Sequence, residues 1–200
     1  MKYTSKLILN WEEYSFAAPE EEWIYSYDFR DKTTTQLAND GWLNTTNLTT
    51  WSSGITASNW TAVLKDVSWL ATIMSTANKL TLELQTSITN TYNCTAWLLL
   101  TEDLNFSKQC WCYYDSSFFS VVISSNEIDK TSHVKSTWTK NITCEFDFVN
   151  KIYSGNYVWG NGMFSWTLTD AQIANVRNLG CIYMPLENGN LIQTIKITVI

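Results

Sequence analysis

Trp23-Ile24-Tyr25-Ser26-Tyr27-Asp28-Phe29-Arg30 is the stretch on which the fold turns. Trp23, Tyr25, Tyr27 and Phe29 fall on one side of an extended chain, and Ser26, Asp28 and Arg30 on the other. That period of two belongs to a half-buried β-strand. It recurs along the chain. Leu80, Leu82 and Leu84 alternate with Thr81, Glu83 and Gln85. Cys144, Phe146 and Phe148 alternate with Thr143, Glu145 and Asp147. Phe164, Trp166 and Leu168 form another such series, and Ile195, Ile197 and Val199 alternate with Lys196 and Thr198. Residues 95–101 and 118–123 are apolar on both faces, which suits central strands. Two short helices interrupt the pattern. Thr33 or Thr34 caps the first, Leu37 turns inward and Gly41 ends it; Asp170 caps the second, Ile173, Val176 and Leu179 share a face, and Gly180 closes it. About ten short strands with two minor helices predict an all-β, two-sheet sandwich. It spans residues 23–200. Residues 1–22, where five glutamates crowd around Pro19, read as an N-terminal arm and linker, with Lys6–Asn10 a short strand.

The composition supports β and excludes several functions. Eleven Trp, 10 Tyr and 8 Phe against 7 Gly and 2 Pro fit a pleated surface. Hydrophobic residues make up 45% of the 200-residue chain, too many for intrinsic disorder. A net charge of −6, with Arg30 and Arg177 the only arginines, supplies no cationic surface for nucleic acid or an anionic membrane. No apolar run approaches the length of a membrane-spanning helix. The opening residues hold only a short apolar run, Leu7-Ile8-Leu9, where a secretory signal needs about 7–15 residues. A cytosolic product, or a mature chain carrying an added methionine, is therefore expected.

Chemistry is sparse. Five cysteines (Cys94, Cys110, Cys112, Cys144, Cys181) are an odd set, and Cys110 and Cys112 are too far apart along one strand to bond to each other. All five are expected to be reduced. With no CxxC pair and only His133 as histidine, neither a metal site nor a Cys–His nucleophile is expected, and no cofactor.

Glu145-Phe146-Asp147-Phe148-Val149-Asn150 resembles the E-x-D-x-x-E strand of laminarinase-type, retaining jelly-roll glycoside hydrolases. That resemblance makes Glu145 the nucleophile and Asp147 its orienting partner, and it puts Asn150 where the acid/base glutamate belongs. An amide cannot protonate a leaving group, and the reaction needs two carboxylates. No enzyme is expected.

A wider resemblance covers the ends of residues 23–200. Tyr27-Asp28-Phe29-Arg30-Asp31-Lys32-Thr33 with Leu37 and Asp40-Gly41-Trp42 resembles the opening of lectin-like and carbohydrate-binding jelly-roll domains of Bacteroidota and their tailed, crAss-like phages. Thr167-Leu168-Thr169-Asp170-Ala171-Gln172-Ile173, Leu179-Gly180-Cys181-Ile182 and Ile195-Lys196-Ile197-Thr198-Val199 resemble their final helix and strands. The resemblance implies a jelly-roll β-sandwich. For function it implies a non-enzymatic virion protein, capsid-decorating or head-fibre, assembled in the host cytoplasm and docking on other virion proteins or itself. The alternative it implies is a free-standing, extracellular carbohydrate-binding module whose partners are glycans. Five aromatic residues are the candidate contacts: Trp111, Tyr113, Trp42, Trp51 and Trp60. In Cys110-Trp111-Cys112-Tyr113 the cysteines point one way and the rings the other. A core cysteine face leaves Trp111 and Tyr113 outward, as anchors for a partner or a sugar. The opposite assignment puts the rings in the core.

Overall fold

The computed structural model describes residues 5–9, 12–16, 22–88, 96–101, 109–114, 118–123, 126–132, 138–157, 163–186 and 190–200, with the side chains of 22–87, 141–155, 165–186 and 190–200. In chain order the strands are β1 (Ser5–Leu9), β2 (Glu12–Phe16), β3 (Trp23–Asp28), β4 (Leu48–Trp51), β5 (Gly54–Ala57), β6 (Thr61–Asp66), β7 (Lys79–Ile88) and β8 (Ala96–Thr101). There follow β9 (Gln109–Tyr114), β10 (Phe118–Ile123), β11 (Asn126–Ser132), β12 (Trp138–Asp147), β13 (Ile152–Tyr157), β14 (Met163–Thr167), β15 (Cys181–Leu186) and β16 (Asn190–Val199). The helices are α1 (Thr34–Asn39), α2 (Trp69–Met74) and α3 (Asp170–Arg177).

Two antiparallel sheets form a jelly-roll sandwich. One has six strands in the order β11-β10-β9-β8-β15-β6. The other has eight, β14-β13-β12-β7-β16-β5-β4, with β3 also paired to β16. The alternation read from the sequence decides which side of each strand is buried. Leu80, Leu82, Leu84, Ile142, Cys144, Phe146, Ile195 and Ile197 face Val63, Ile182, Met184 and Leu186 across a dry core. Removing that much apolar surface from water is the main stabilising term of such a sandwich.

The helices close the ends of this core. Thr33 accepts from the Gln36 amide while Gln36 reaches back to the Thr33 N–H, a reciprocal cap at α1. Thr169 and Gln172 repeat the arrangement at α3. Thr169, not Asp170, is thus the capping residue; Asp170 is the first helical position and pairs with Lys151 at 2.8 Å. A third helix, α2, adds Leu70 and Met74 to the core. Arg177 ties α3 to the segment after α2, donating at 2.8 Å to the Ser75 and Ala77 carbonyls and stacking over Phe148 at 4.9 Å. The arm expected over residues 1–22 contains the β1–β2 hairpin, which pairs with neither sandwich sheet among the described residues.

The cysteine expectation is overturned in part. Cys144 is disulfide-bonded, while Cys181 keeps its thiol, buried. An odd count leaves room for one bond as readily as for none, and long-range pairing is invisible in spacing.

At Gly54 the β4–β5 hairpin comes very close to the β16 backbone. Its φ is +137°, and a Cβ there would come within 2.2 Å of the Ile192 carbonyl oxygen. Backbone cannot yield as a side-chain tip does. Gly54→Ala is therefore expected to lower stability by more than about 2 kcal/mol, from combined strain and clash. A melting temperature within a degree of wild type would show that β5 moves freely against β16.

Candidate functional site

The outer face of the eight-stranded sheet is polar because its alternate residues are. The strand register lines these residues up across the sheet. Ser26, Lys196, Glu83, Thr143 and Asn156 occupy one rung, through successive pairs. Ile24, Thr198, Thr81, Glu145, Ser154 and Ser165 occupy another. Asp28, Thr194, Gln85 and Asn141 form a third, nearest Trp51. Adjacent strands lie about 4.8 Å apart, so polar side chains recur across these rungs, although in the second Ile24 is an exposed apolar end and Thr198 is buried.

The charges on this face are paired. Lys196 meets Glu83 at 3.1 Å, and Lys79 meets Glu145 at 3.1 Å. Arg30 grips Asp28 through two donors, Nε at 2.9 Å and Nη2 at 2.6 Å. The guanidinium holds the Asp28 carboxyl below its usual range, first through its hydrogen bond. Such exposed pairs add little stability, but they neutralise the surface locally. What remains is mostly hydroxyl and amide groups, with Ile24 and Ile152 exposed toward the margins.

The expected aromatic contacts go to different places. Trp51 ends β4 opposite Gly54, while its neighbour Thr50 stands opposite the fully buried Ile55. Alternation therefore puts Trp51 on the outer side, and its residue is 54% exposed. Its carbonyl accepts from the Asp31 N–H at 3.3 Å, which fixes the hairpin beside Asp28 and Arg30. Trp60, 62% exposed, precedes β6 on the edge of the other sheet. Trp42 is a correction. It is 2% exposed, its ring 5.2 Å from Tyr27 and 5.0 Å from Phe29, with the Lys65 ammonium over it at 5.7 Å. It is a core anchor, unable to meet a ligand, because Asp40-Gly41 turns the chain inward rather than out. On β9, Trp111 pairs with Leu99 and Val122, and Tyr113 with Trp97 and Ser120; their side chains lie outside the described residues. Trp23 (45%), Trp69 (43%) and Trp166 (51%) are exposed as well, although alternation places Trp23 and Trp166 on the core side of their strands.

The six-residue match to glycosidases resolves into a turn. β12 ends at Asp147, whose carboxylate accepts from the Val149 and Asn150 amides at 3.1 and 2.8 Å and from Asn150 Nδ2 at 2.8 Å. Asn150 closes that turn instead of facing Glu145 across a substrate. These hydrogen bonds, the Asn150 amide first, hold the Asp147 carboxyl below its ordinary value. Among the described residues no three His, Cys, Asp or Glu side chains are grouped to hold a metal ion, and no helix is long and apolar enough to cross a membrane.

Comparison with known proteins agrees with the fold. No protein-family model matches the chain, and no curated protein matches it in sequence. Solved structures do match. Peanut lectin with a nine-residue peptide superposes with a TM-score of 0.63 at 11% identity, covering 90% of this chain and 98% of that one. Winged bean acidic lectin complexed with methyl-α-D-galactose gives 0.63 at 9%, with the same coverages. The CBM2 module of the evolved Dit of Lactobacillus casei BL23 phage J-1 gives 0.55 at 6%, covering 90% and 91%.

Two outcomes follow from this geometry. Trp42→Ala should cost about 3–5 kcal/mol, as truncation of a buried aromatic does, read by denaturant unfolding; a loss under 1 kcal/mol would put the ring at the surface. Asp28 and Asp147 are depressed in the folded state, so their contribution is present above the ordinary carboxylate range and disappears as pH falls through and below it. The urea midpoint should therefore drop on acidification below about pH 4, and Asp147→Asn should drop less steeply. Equal slopes would show that the turn carboxylate is energetically idle. The chain has the lectin-type jelly-roll fold, with a hydroxyl- and amide-rich sheet face and an exposed indole at its margin.

Proposed function

We propose that the chain is a non-catalytic glycan-binding module that takes sugar on the outer face of its eight-stranded sheet, with Trp51 as the stacking platform. The observation that supports this reading is the pairing of rungs of hydroxyl and amide side chains with an exposed indole fixed beside them. Sugars present alternating hydroxyls and apolar C–H faces. They are bound by donors and acceptors in fixed array plus an aromatic ring. The internally paired charges favour neutral glycans over charged ones. The disulfide at Cys144 supports an oxidising, extracellular destination, because such bonds persist there and are rare in the cytosol.

A second reading makes the domain a virion component docking through protein contacts. The superposition on a module of a phage Dit supports it. Trp111 and Tyr113 on β9 would then be the anchors for the partner. Both readings meet in one experiment on the purified chain, a glycan array with light scattering. A monomer that binds neutral glycans, and loses about tenfold or more in affinity on Trp51→Ala with its melting temperature unchanged, is the expected result. No glycan bound, combined with self-assembly that Trp111→Ala abolishes, would replace the glycan reading with the virion one. Laminarin should remain uncleaved; cleavage that Glu145→Gln abolishes would make the chain an enzyme.

A further inference from the structure

The inner row of β3 leaves the core as it runs back toward Trp23. Trp23, Tyr25 and Tyr27 pair with Val199, Ile197 and Ile195 of β16, and directly paired residues share one side of a sheet. All three partners are buried in the core. Along the row itself, exposure rises from Phe29, which is fully buried, through the partly exposed Tyr27 and Tyr25 to the half-exposed Trp23. Among the described residues β3 has β16 on one side and no strand on the other. Its inner rings therefore stand on the flank of the sandwich. We propose that this flank is a second neutral-glycan site, separate from Trp51, with Trp23 and Trp69 as its stacking rings. The ligand class rests on the reading above; the place of the site does not.

Two helices shape the ledge. Trp69, the first residue of α2, brings its ring centroid to 6.2 Å from that of Tyr25, tilted by 56°. Leu70 and Met74 anchor α2 in the core, so Trp69 is held in place from beneath. Trp23 lies two residues from Tyr25 on the same side, about 6.5–7 Å along the strand. Both indoles thus neighbour Tyr25, whose hydroxyl oxygen is buried and whose ring is the floor. At the α1 end, Tyr27 packs on Trp42 and donates to the Asp40 carboxylate. Lys32 reaches the same carboxylate at 3.5 Å, and Lys65 donates to the Asp40 carbonyl. Burial first, and then the Asp40 carboxylate, raises the Tyr25 phenol above its ordinary value, which puts these charges within reach of the floor.

Area and charge together indicate the occupant. For side chains of about 150–250 Å² each, two half-exposed indoles offer on the order of 200 Å², whereas a standard protein interface takes about 800 Å² per partner. The apolar face of one or two sugar rings matches that area. The charged heads beside the ledge are engaged with each other, which disfavours an ionic ligand. An ammonium has three protons and a carboxylate about four acceptor positions, so hydroxyls can still be bound there. Trp51 cannot share this ligand. It lies on the outer side near Asp28, and β3 runs five residue steps from Trp23 to Asp28, about 16–17 Å. Two separate sites on one module would hold a polymeric glycan by avidity, where a single free sugar engages only one.

Nuclear magnetic resonance of the indole N–H groups reads each ring in the full chain, with signals assigned through Trp23→Phe, Trp51→Phe and Trp69→Phe. The probes are galactose, cellohexaose and laminarihexaose. At least one of them is expected to shift the Trp23 and Trp69 signals on one binding curve and the Trp51 signal on another. Trp69→Ala should weaken the flank curve about tenfold or more and leave the Trp51 curve unchanged. Trp23→Ala should do the same with α2 intact. Shifts at Trp51 alone, or a flank curve that both variants leave unchanged, overturn the second site and spare the first. Shifts at Trp23 and Trp69 alone support the flank site and remove Trp51 as a platform. No shift at any of the three indoles with any probe overturns the flank site together with the reading it rests on. A dimer in light scattering that Trp69→Ala disperses would make the flank a contact between copies and overturn it as a sugar site.

Discussion

Strand β7 is hydrogen-bonded along its whole length on both sides, to β12 from Lys79 to Ile88 and to β16 from Leu80 to Ile88. That double ladder fixes the facing of three strands at once. A slip of one residue would turn Leu80, Leu82 and Leu84 outward and bring Glu83 and Gln85 into the core. Burying an unpaired carboxylate costs far more than any local gain, so the register is steeply determined. The core and the polar outer rungs are two sides of that one constraint. The face proposed to meet sugar exists because its backs are leucine, isoleucine and phenylalanine.

Much of this was legible because period two is a strong signal where one face is wet. β3, β7, β12 and β16 all announce themselves by alternation, and the cap of the first helix was within reach at Thr33, whereas the second cap lies at Thr169, one residue before the Asp170 that the sequence suggested. The misses share a cause: they depend on what lies across the fold. Leu70, Ile73 and Met74 carry helical spacing, but six residues are too few to stand out, and α2 is held by burying Leu70 and Met74 in the core. Trp42 and Trp51 sit in similar Thr- and Asn-rich surroundings. Only tertiary packing on Tyr27 and Phe29 makes one a core residue while the other stays wet. The disulfide at Cys144 needs a second cysteine brought to it by the fold, and periodicity carries no such information. The glycosidase-like hexapeptide misleads for a related reason. Its letters match a strand, yet the chain turns at Phe148 and the last position becomes a hydrogen-bond donor to Asp147.

The aromatic excess serves two purposes that composition merges. Tyr27, Phe29 and Trp42 form one aromatic cluster packed in the core. The Tyr27 hydroxyl donates to Asp40 at 2.5 Å; burial first, then that bond, raises the phenol above its ordinary value and keeps it protonated as a donor. A cluster so placed is scaffolding for the β4–β5 hairpin, since the chain passes from α1 into that hairpin within a few residues. The exposed indole at the margin is therefore held by a rigid base, which lowers the entropy lost when a ring engages a ligand.

The pairing of β3 with β16 joins Trp23 to Val199 and Asp28 to Thr194, nearly the two ends of the described chain. Among the described residues, β16 is the strand that links β3 and β5 to β7. On a ribosome the eight-stranded sheet thus lacks its connecting strand until synthesis has run almost to residue 200. Until then the indole-rich edge of β3 and the flank of β7 are unmatched, and the nascent chain must be shielded or kept from its neighbours. Closure by β16 is the event that commits the sandwich to its final form.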